Sequence, residues 1–173
     1  MNTITSKSLR TAVVSLVALG VFAACGTDSD DAEKTDADQS SQVAQAATPS
    51  DILAATPWET TSAVDQDGNE VSLDDENVNT FVGWAYFKAD GTFTMYTLDD
   101  APKMQGDWTV TEDGKTRSIV AKDEDGKVLF TRDSDIVTLT DAEFTYRVFP
   151  EEGDTSAYYD IVHTPTDHAE PTA

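Results

Sequence analysis

The sequence predicts an all-β, antiparallel domain of about eight short strands. Its first sign is a set of Asp-Gly pairs, each suited to the positive φ of a tight hairpin turn. The pairs lie at residues 67–68, 90–91, 113–114 and 125–126. The second sign is alternation, since Phe144, Tyr146 and Val148 are separated by Thr145 and Arg147, which predicts strands with one buried face. Such strands protect their edges by closing into a barrel or by stacking in two layers.

The chain begins with an apparent export signal over residues 1–24. Lys7 and Arg10 precede the apolar stretch Thr11–Phe22, and Ala23 and Ala24 are small residues before a cleavage point. A membrane-spanning helix needs roughly 20 apolar residues, so this stretch is too short to be a permanent anchor.

Cys25 is the sole cysteine of the sequence and follows the signal directly. The run VFAAC, Val21 to Cys25, resembles the lipid-attachment box of bacterial lipoproteins. The resemblance implies diacylglyceryl transfer to the Cys25 sulfur, and hence anchoring of the protein to the outer face of the cell membrane. The alternative is an ordinary secretory signal followed by an incidental thiol.

Residues 25–50 are predicted to form a disordered tether. They include six acidic residues, one lysine and no aromatic residue, so they bury too little apolar surface to fold. The whole chain carries a net charge of −22. Removal of the signal would take away Lys7 and Arg10 and no acid, which makes the net charge −24. Such a charge argues against nucleic acid as a partner, since phosphate is bound through Lys and Arg. It favours cationic partners or simple solubility.

The predicted domain covers residues 51–166, with a helical turn at Asp51–Ala55, a second candidate turn at Asp74–Asn79 and a loose tail at residues 167–173. The predicted strands are Trp58–Val64, Glu70–Leu73, Phe81–Lys88, Thr92–Leu98, Gly106–Thr111, Thr116–Lys122, Val128–Arg132, Asp135–Thr140, Glu143–Phe149 and Ala157–His163.

Four runs of this region resemble the bacterial lipocalin-like lipoproteins, in particular a Gram-positive family of small secreted domains of unknown function. They are TPWETTSAVDQDGNEV, GWAYFKADGTF, GDWTVTEDGKTR and VTLTDAEFTYRV. The resemblance implies an up-and-down, lipocalin-like barrel of about eight strands. It also implies that Trp58 and Arg147 stack to close one end of the barrel, although Thr56 and Pro57 stand where the lipocalin Gly-x-Trp triplet has its first two residues.

An eight-stranded barrel is either filled by side chains or wide enough for one small ligand. Aromatic residues on the predicted strands are candidates for lining such a pocket, but they equally suit a solid core. The candidates are Trp84, Tyr86, Phe93, Tyr96, Trp108, Phe144 and Tyr146.

Catalytic and metal chemistry have little support in the sequence. His163 and His168 are the only histidines, which argues against a histidine-based triad or a three-histidine zinc site. Asp65, Asp67 and Asn69 have the first, third and fifth spacing of a calcium loop, but Glu70 occupies the place that needs glycine. The sequence therefore predicts neither an enzyme nor a cofactor, and its many carboxylate pairs leave a carboxylate-based hydrolase as the alternative.

Two roles remain open at this level. In the first, a lipid-anchored barrel binds a small amphipathic molecule or a peptide in its interior. In the second, the core is solid and the protein is a structural or interaction lipoprotein that contacts another component of the cell envelope.

Overall fold

The structure is a computed structural model that describes residues 46–151 and 153–172. The predicted signal peptide, Cys25 and most of the predicted tether lie outside these residues. No helix in the described ranges is long and apolar enough to cross a membrane.

The regular secondary structure of the described residues is mainly β-strand. Its helical elements are α1 (Pro49–Ala54) and a 3₁₀ turn (Asn79–Phe81). Its strands are β1 (Trp58–Asp65), β2 (Glu70–Val71), β3 (Trp84–Phe87), β4 (Thr92–Tyr96), β5 (Pro102–Val110), β6 (Thr116–Lys122), β7 (Val128–Leu139), β8 (Phe144–Val148) and β9 (Tyr159–Pro165).

The strands close into an antiparallel barrel with up-and-down order. From β3 to β9 each strand pairs with the next in sequence, and β1 pairs with both β3 and β9. Eight strands therefore form the closed wall, while the two-residue β2 pairs with the end of β1. Closure removes the two free edges of an open sheet, although residues 128–135 of β7 pair with β6 alone. The predicted all-β barrel of about eight strands is confirmed.

All four predicted Asp-Gly turns are present. Gly68, Gly91, Gly114 and Gly126 have φ values of 80°, 86°, 69° and 79°, in the left-handed region that glycine occupies without steric cost. These turns join β1 to β2, β3 to β4, β5 to β6 and β6 to β7.

Several element boundaries differ from the prediction. The two strands predicted at Val128–Arg132 and Asp135–Thr140 form one strand, β7, because Asp133 and Ser134 pair with Ser118 and Arg117 of β6 without interruption. The predicted strand Phe81–Lys88 begins only at Trp84, since the preceding residues form the 3₁₀ turn.

The entrance helix covers part of the core. Thr48 caps α1 through a reciprocal pair of hydrogen bonds with Asp51. Leu53, on this helix, is fully buried, and its carbonyl accepts a 2.9 Å hydrogen bond from the Trp58 indole. The helix begins at Pro49, two residues before the predicted start of the domain.

Candidate functional site

The seven aromatic pocket candidates divide between the two faces of the barrel wall. On β3, Ala85 and Phe87 belong to the core, so the alternating residues Trp84 and Tyr86 face outward. Tyr96 pairs with Trp84 across β3 and β4 and lies on the same outer face. The candidates that pack in the interior are Phe93, Trp108, Phe144 and Tyr146.

The interior aromatic residues pack against one another. The Phe144 ring lies 5.8 Å from that of Trp58, 6.1 Å from that of Phe87 and 5.5 Å from that of Tyr146, measured between centroids. These separations are typical of aromatic pairs in cores. The four inward-facing pocket candidates therefore form the solid core of the barrel and do not line a pocket.

Arg117 is a buried cation in this aromatic interior, which the sequence analysis did not identify. Only 2% of its surface is exposed. Its guanidinium carbon lies 4.2 Å from the Tyr146 ring centroid and 5.5 Å from that of Phe144, and its Nη2 donates a 3.2 Å hydrogen bond to Ser134 Oγ. The sequence did contain a signal of this burial, because Arg117 alternates with Ile119 and Ala121, which are buried.

His163 is a second buried titratable group in the interior. Its ring stacks on that of Tyr146 at 5.3 Å, and its Nε2 lies 3.0 Å from Thr60 Oγ1. Burial, followed by the positive charge of Arg117, lowers the pKa of His163 to about 3, so its imidazole is neutral at physiological pH. His163 is the last residue of the predicted strand Ala157–His163, and β9 places it in the core.

A cavity of about 20 Å³ lies beside these polar groups. Its lining includes Trp84, Lys103, Arg117, Tyr146 and His163. This is room for about one water-sized particle, and far less than the roughly 300–1,000 Å³ of a small-molecule pocket.

The predicted closing pair, Trp58 and Arg147, does not form. Arg147 lies on the outer face of β8, where its guanidinium makes two hydrogen bonds to Asp160, of 2.7 and 2.9 Å, and stacks over Tyr158 at 3.5 Å. Trp58 is fully buried inside the barrel. Strand alternation therefore puts the two residues on opposite sides of the wall, and Arg117 is the arginine that meets the interior rings.

The outward candidates are covered by residues 166–172, which we call the C-terminal segment. His168 stacks on Trp84 with centroids 4.1 Å apart, and its Nδ1 lies 2.7 Å from the Tyr86 hydroxyl. Tyr96 donates a 3.2 Å hydrogen bond to the carbonyl of Pro171. The expected loose tail is instead packed along β3 and β4.

The projecting start of β7 carries exposed apolar residues. Val128 and Leu129 are 52% and 60% exposed, and Phe130 is 36% exposed. Leu129 and Phe130 line a groove of about 310 Å³ together with Met95, Lys103 and other residues of β4 and β5. Lys103 is half-buried and donates hydrogen bonds to the carbonyls of Thr80 and Val82, at 3.0 and 2.6 Å.

The three calcium candidates form a hairpin turn. The Asp65 carboxylate accepts hydrogen bonds from the backbone of Asp67 and Asn69, at 2.9 and 2.8 Å, and from the Asn69 side chain. These bonds to Asn69 lower the pKa of Asp65. Among residues 46–151 and 153–172 no group of three or more His, Cys, Asp or Glu residues could hold a metal ion.

Comparisons with known proteins give a family but no activity. No curated protein matches the chain. A crystal structure of a lipocalin-like protein from Bacteroides uniformis ATCC 8492 is similar over 66% of this chain and 99% of its own, with 16% sequence identity and a TM-score of 0.44. The model of a domain of unknown function, DUF4822, matches residues 50–172, and the chain therefore belongs to the DUF4822 family.

Proposed function

We propose that the protein is a lipoprotein, held on the extracytoplasmic face of the cell membrane by lipid on Cys25. The support is the order of its N-terminal sequence: a positive start, a short apolar stretch, two alanines and then the single cysteine. Each methylene of an acyl chain contributes about 0.8 kcal/mol on burial, so two chains give a stable anchor.

Metabolic labelling tests this anchor. Cells given a palmitate analogue should label the wild-type protein and leave Cys25→Ser unlabelled, with the variant released from the membrane fraction. Ser29→Cys in the Cys25→Ser background is the control, since it restores a thiol to the mature chain away from the attachment box. An unlabelled wild-type protein, or an equally membrane-bound Cys25→Ser, contradicts the proposal.

On this anchor the barrel acts as a solid-core interaction module. The observation that carries this proposal is the filled interior, where the space beside Tyr146 and His163 is about 20 Å³. A barrel packed in this way has to bind a protein partner through its outer surface. In this proposal the protein has no catalytic role. His163 and His168 contribute to packing, since they stack on Tyr146 and Trp84.

The binding surface that we assign is the projecting start of β7, at Val128, Leu129 and Phe130. Adjacent exposed apolar side chains mark interaction sites more often than isolated ones do. The neighbouring turn contains Asp123, Glu124 and Asp125. Together with the strongly negative chain, this turn favours an envelope protein that offers an apolar patch with a basic rim.

Site-specific photo-crosslinking in intact cells tests this surface. A photoreactive residue at position 129 should give one dominant protein adduct, which the double variant Val128→Ser/Phe130→Ser should reduce at least tenfold. Position 137 is the matched control, because Val137 is also on β7 and is 49% exposed. Equal adducts at positions 129 and 137, or none at 129, count against the proposed surface.

A second candidate function is the binding of a small amphipathic anion in the outer groove. The groove of about 310 Å³ joins the apolar Met104 and Phe130 to the cationic Lys103. Lys122, Asp123 and Glu124 also line it, and its volume is at the lower end of the range for ligand pockets. In this arrangement the apolar part of the ligand would lie on β5 and β7, and its acidic group would lie at Lys103.

Ligand extraction separates the two functions. Protein purified without detergent exchange, then extracted and analysed by mass spectrometry, should release one reproducible acidic compound if the groove binds a small molecule. Met104→Asp should abolish its recovery, whereas Val137→Asp should not. Recovery of nothing reproducible leaves the interaction module as the function.

A further inference from the structure

We propose that the barrel interior contains a binding site for one small inorganic anion of chloride size, at Arg117 in the 20 Å³ cavity. The proposal is independent of the lipid anchor and of the surface at β7. It accounts for a buried charge that the described residues leave without a counter-ion.

Arg117 carries a buried positive charge that has no acidic partner among the described residues. An arginine removed from water needs a partner, because a buried uncompensated charge costs several kcal/mol. Among the ion pairs of the described residues none includes Arg117. Its neighbours are three aromatic rings and two hydroxyls, those of Ser134 and Tyr146. Cation–π contacts offset part of the cost, but they add no negative charge.

Buried nitrogen atoms that lack a hydrogen-bond partner also indicate the cavity at Arg117. Across the described chain, three buried side-chain nitrogens lack a hydrogen-bond partner: Trp84 Nε1, Arg117 Nε and His163 Nδ1. Arg117 and His163 are interior residues that line the small cavity, whereas the Trp84 ring lies on the outer face under His168. Buried polar groups nearly always have partners, so unsatisfied ones indicate a missing water or ion. The Arg117 nitrogen can only donate, which selects an acceptor.

The charge around the cavity selects an anion in preference to a neutral acceptor. Lys103 and Arg117 both line it, and no carboxylate does. Tyr146 does not supply the missing charge as a phenolate, because burial raises its pKa above the ordinary value. His163 is neutral. The Arg117 guanidinium therefore faces a space without an acid, and the Lys103 ammonium, which donates to the carbonyls of Thr80 and Val82, adds positive charge beside it.

The volume selects the size of the anion. About 20 Å³ admits a single particle near the size of a water molecule, so chloride or bromide fits and a carboxylate with an apolar chain does not. The site is thus distinct from the outer groove, although the two share Met95 and Lys103 in their linings.

Thermal unfolding at constant ionic strength tests the site. Replacing sodium gluconate by sodium chloride or bromide should raise the Tm of the purified protein by about 4 °C once the halide is at ten times its Kd. Lys103→Met should reduce this shift at least twofold, and Arg117→Met should abolish it. Lys115→Met, which removes a lysine that does not line the cavity, should keep the full shift.

Crystals grown in bromide give a readout that needs no variant, should Arg117→Met fail to fold. An anomalous peak next to Arg117 is the expected result. Ordinary density without anomalous signal would identify a water, and together with equal Tm values in gluconate and halide it would overturn the proposal.

Discussion

Gly106 shows how one residue permits the barrel to close. It lies in β5 opposite Ala121 of β6, and a Cβ at this position would come within 1.9 Å of the Val120 carbonyl oxygen. No side chain can be accommodated there without moving the β6 backbone. The alternation pattern alone predicted Gly106 as an ordinary inward residue next to Trp108.

Gly106→Ala should therefore destabilise the fold by at least about 2 kcal/mol, because overpacking against backbone is not relieved by a rotamer change. Urea unfolding followed by Trp fluorescence measures the change. Gly126→Asn is the control, since nothing lies within 4 Å of a Cβ there and φ is +79°, a conformation that asparagine tolerates. Equal losses in the two variants would contradict the steric explanation.

His163 gives the fold a pH dependence of its own. Its folded pKa of about 3 is below the unfolded value of about 6.5, so the unfolded chain binds more protons between these values. Stability is then complete above pH 6.5 and is lost as the pH falls toward 3. The loss between pH 6.5 and pH 5 should be about 2 kcal/mol.

Urea unfolding at pH 7 and pH 5 tests this prediction. The neutral variant His163→Gln should be less dependent on pH over this interval by about the same amount. The matched control is His168→Gln, which leaves the buried ring in place and should retain the wild-type dependence. An unchanged pH dependence in His163→Gln would show that another group is responsible.

At the scale of the elements, the C-terminal segment acts as a cover for the outer face of β3 and β4. Beyond the stack of His168 on Trp84, Glu170 pairs with Lys88 at 3.0 Å and accepts a 2.5 Å hydrogen bond from Thr94. Asp167 and Ala169 alternate with these residues and are exposed. The segment thus has the one-sided pattern of a docked extended chain.

His168→Ala should lower stability by about 1–2 kcal/mol, since it removes an aromatic stack and a hydrogen bond. It should also shift Trp fluorescence to the red, because Trp58 and Trp108 remain buried and only Trp84 becomes exposed. Asp167→Ala is the neighbouring control and should change neither property. A wild-type spectrum for His168→Ala would mean that the segment does not shield Trp84.

At the scale of the whole molecule, the large negative charge affects the stability of the folded state. The chain has 33 acidic residues and 11 basic ones, and folding brings these acids closer together than they are in the extended chain. Self-repulsion of this kind destabilises a compact state. Salt screens it, with a Debye length that falls from about 30 Å at 0.01 M to about 10 Å at 0.1 M ionic strength.

Raising sodium gluconate from 10 mM to 150 mM should therefore increase Tm by several degrees. Gluconate is used because it is too large for the internal anion site. Neutralising Asp123, Glu124 and Asp125 to their amides should reduce the effect, whereas a Tm independent of gluconate would show that repulsion is unimportant for this fold.

The resemblance to lipocalin-like lipoproteins implied the barrel, whereas the residue patterns by themselves determined the strand class and the hairpin turns. Those features depend on local rules: the left-handed φ at Gly68 or Gly114, and the alternation of Phe144, Tyr146 and Val148. The residue patterns did not determine which candidates would share a surface. Tyr86 and Phe93 were both possible pocket residues, and only the register of β3 against β4 put them on opposite faces.

Tertiary structure also decided which arginine entered the core. Arg117 and Arg147 both stand in alternating strands, and each has apolar residues two positions away. Arg147 faces outward because Asp160 lies directly across from it on β9, whereas Arg117 lies across from Ser134 and turns toward the interior rings. The alternation of Arg117 with Ile119 and Ala121 could have indicated its face, but cross-strand partners are far apart in sequence, so only the closed barrel decided what each arginine contacts.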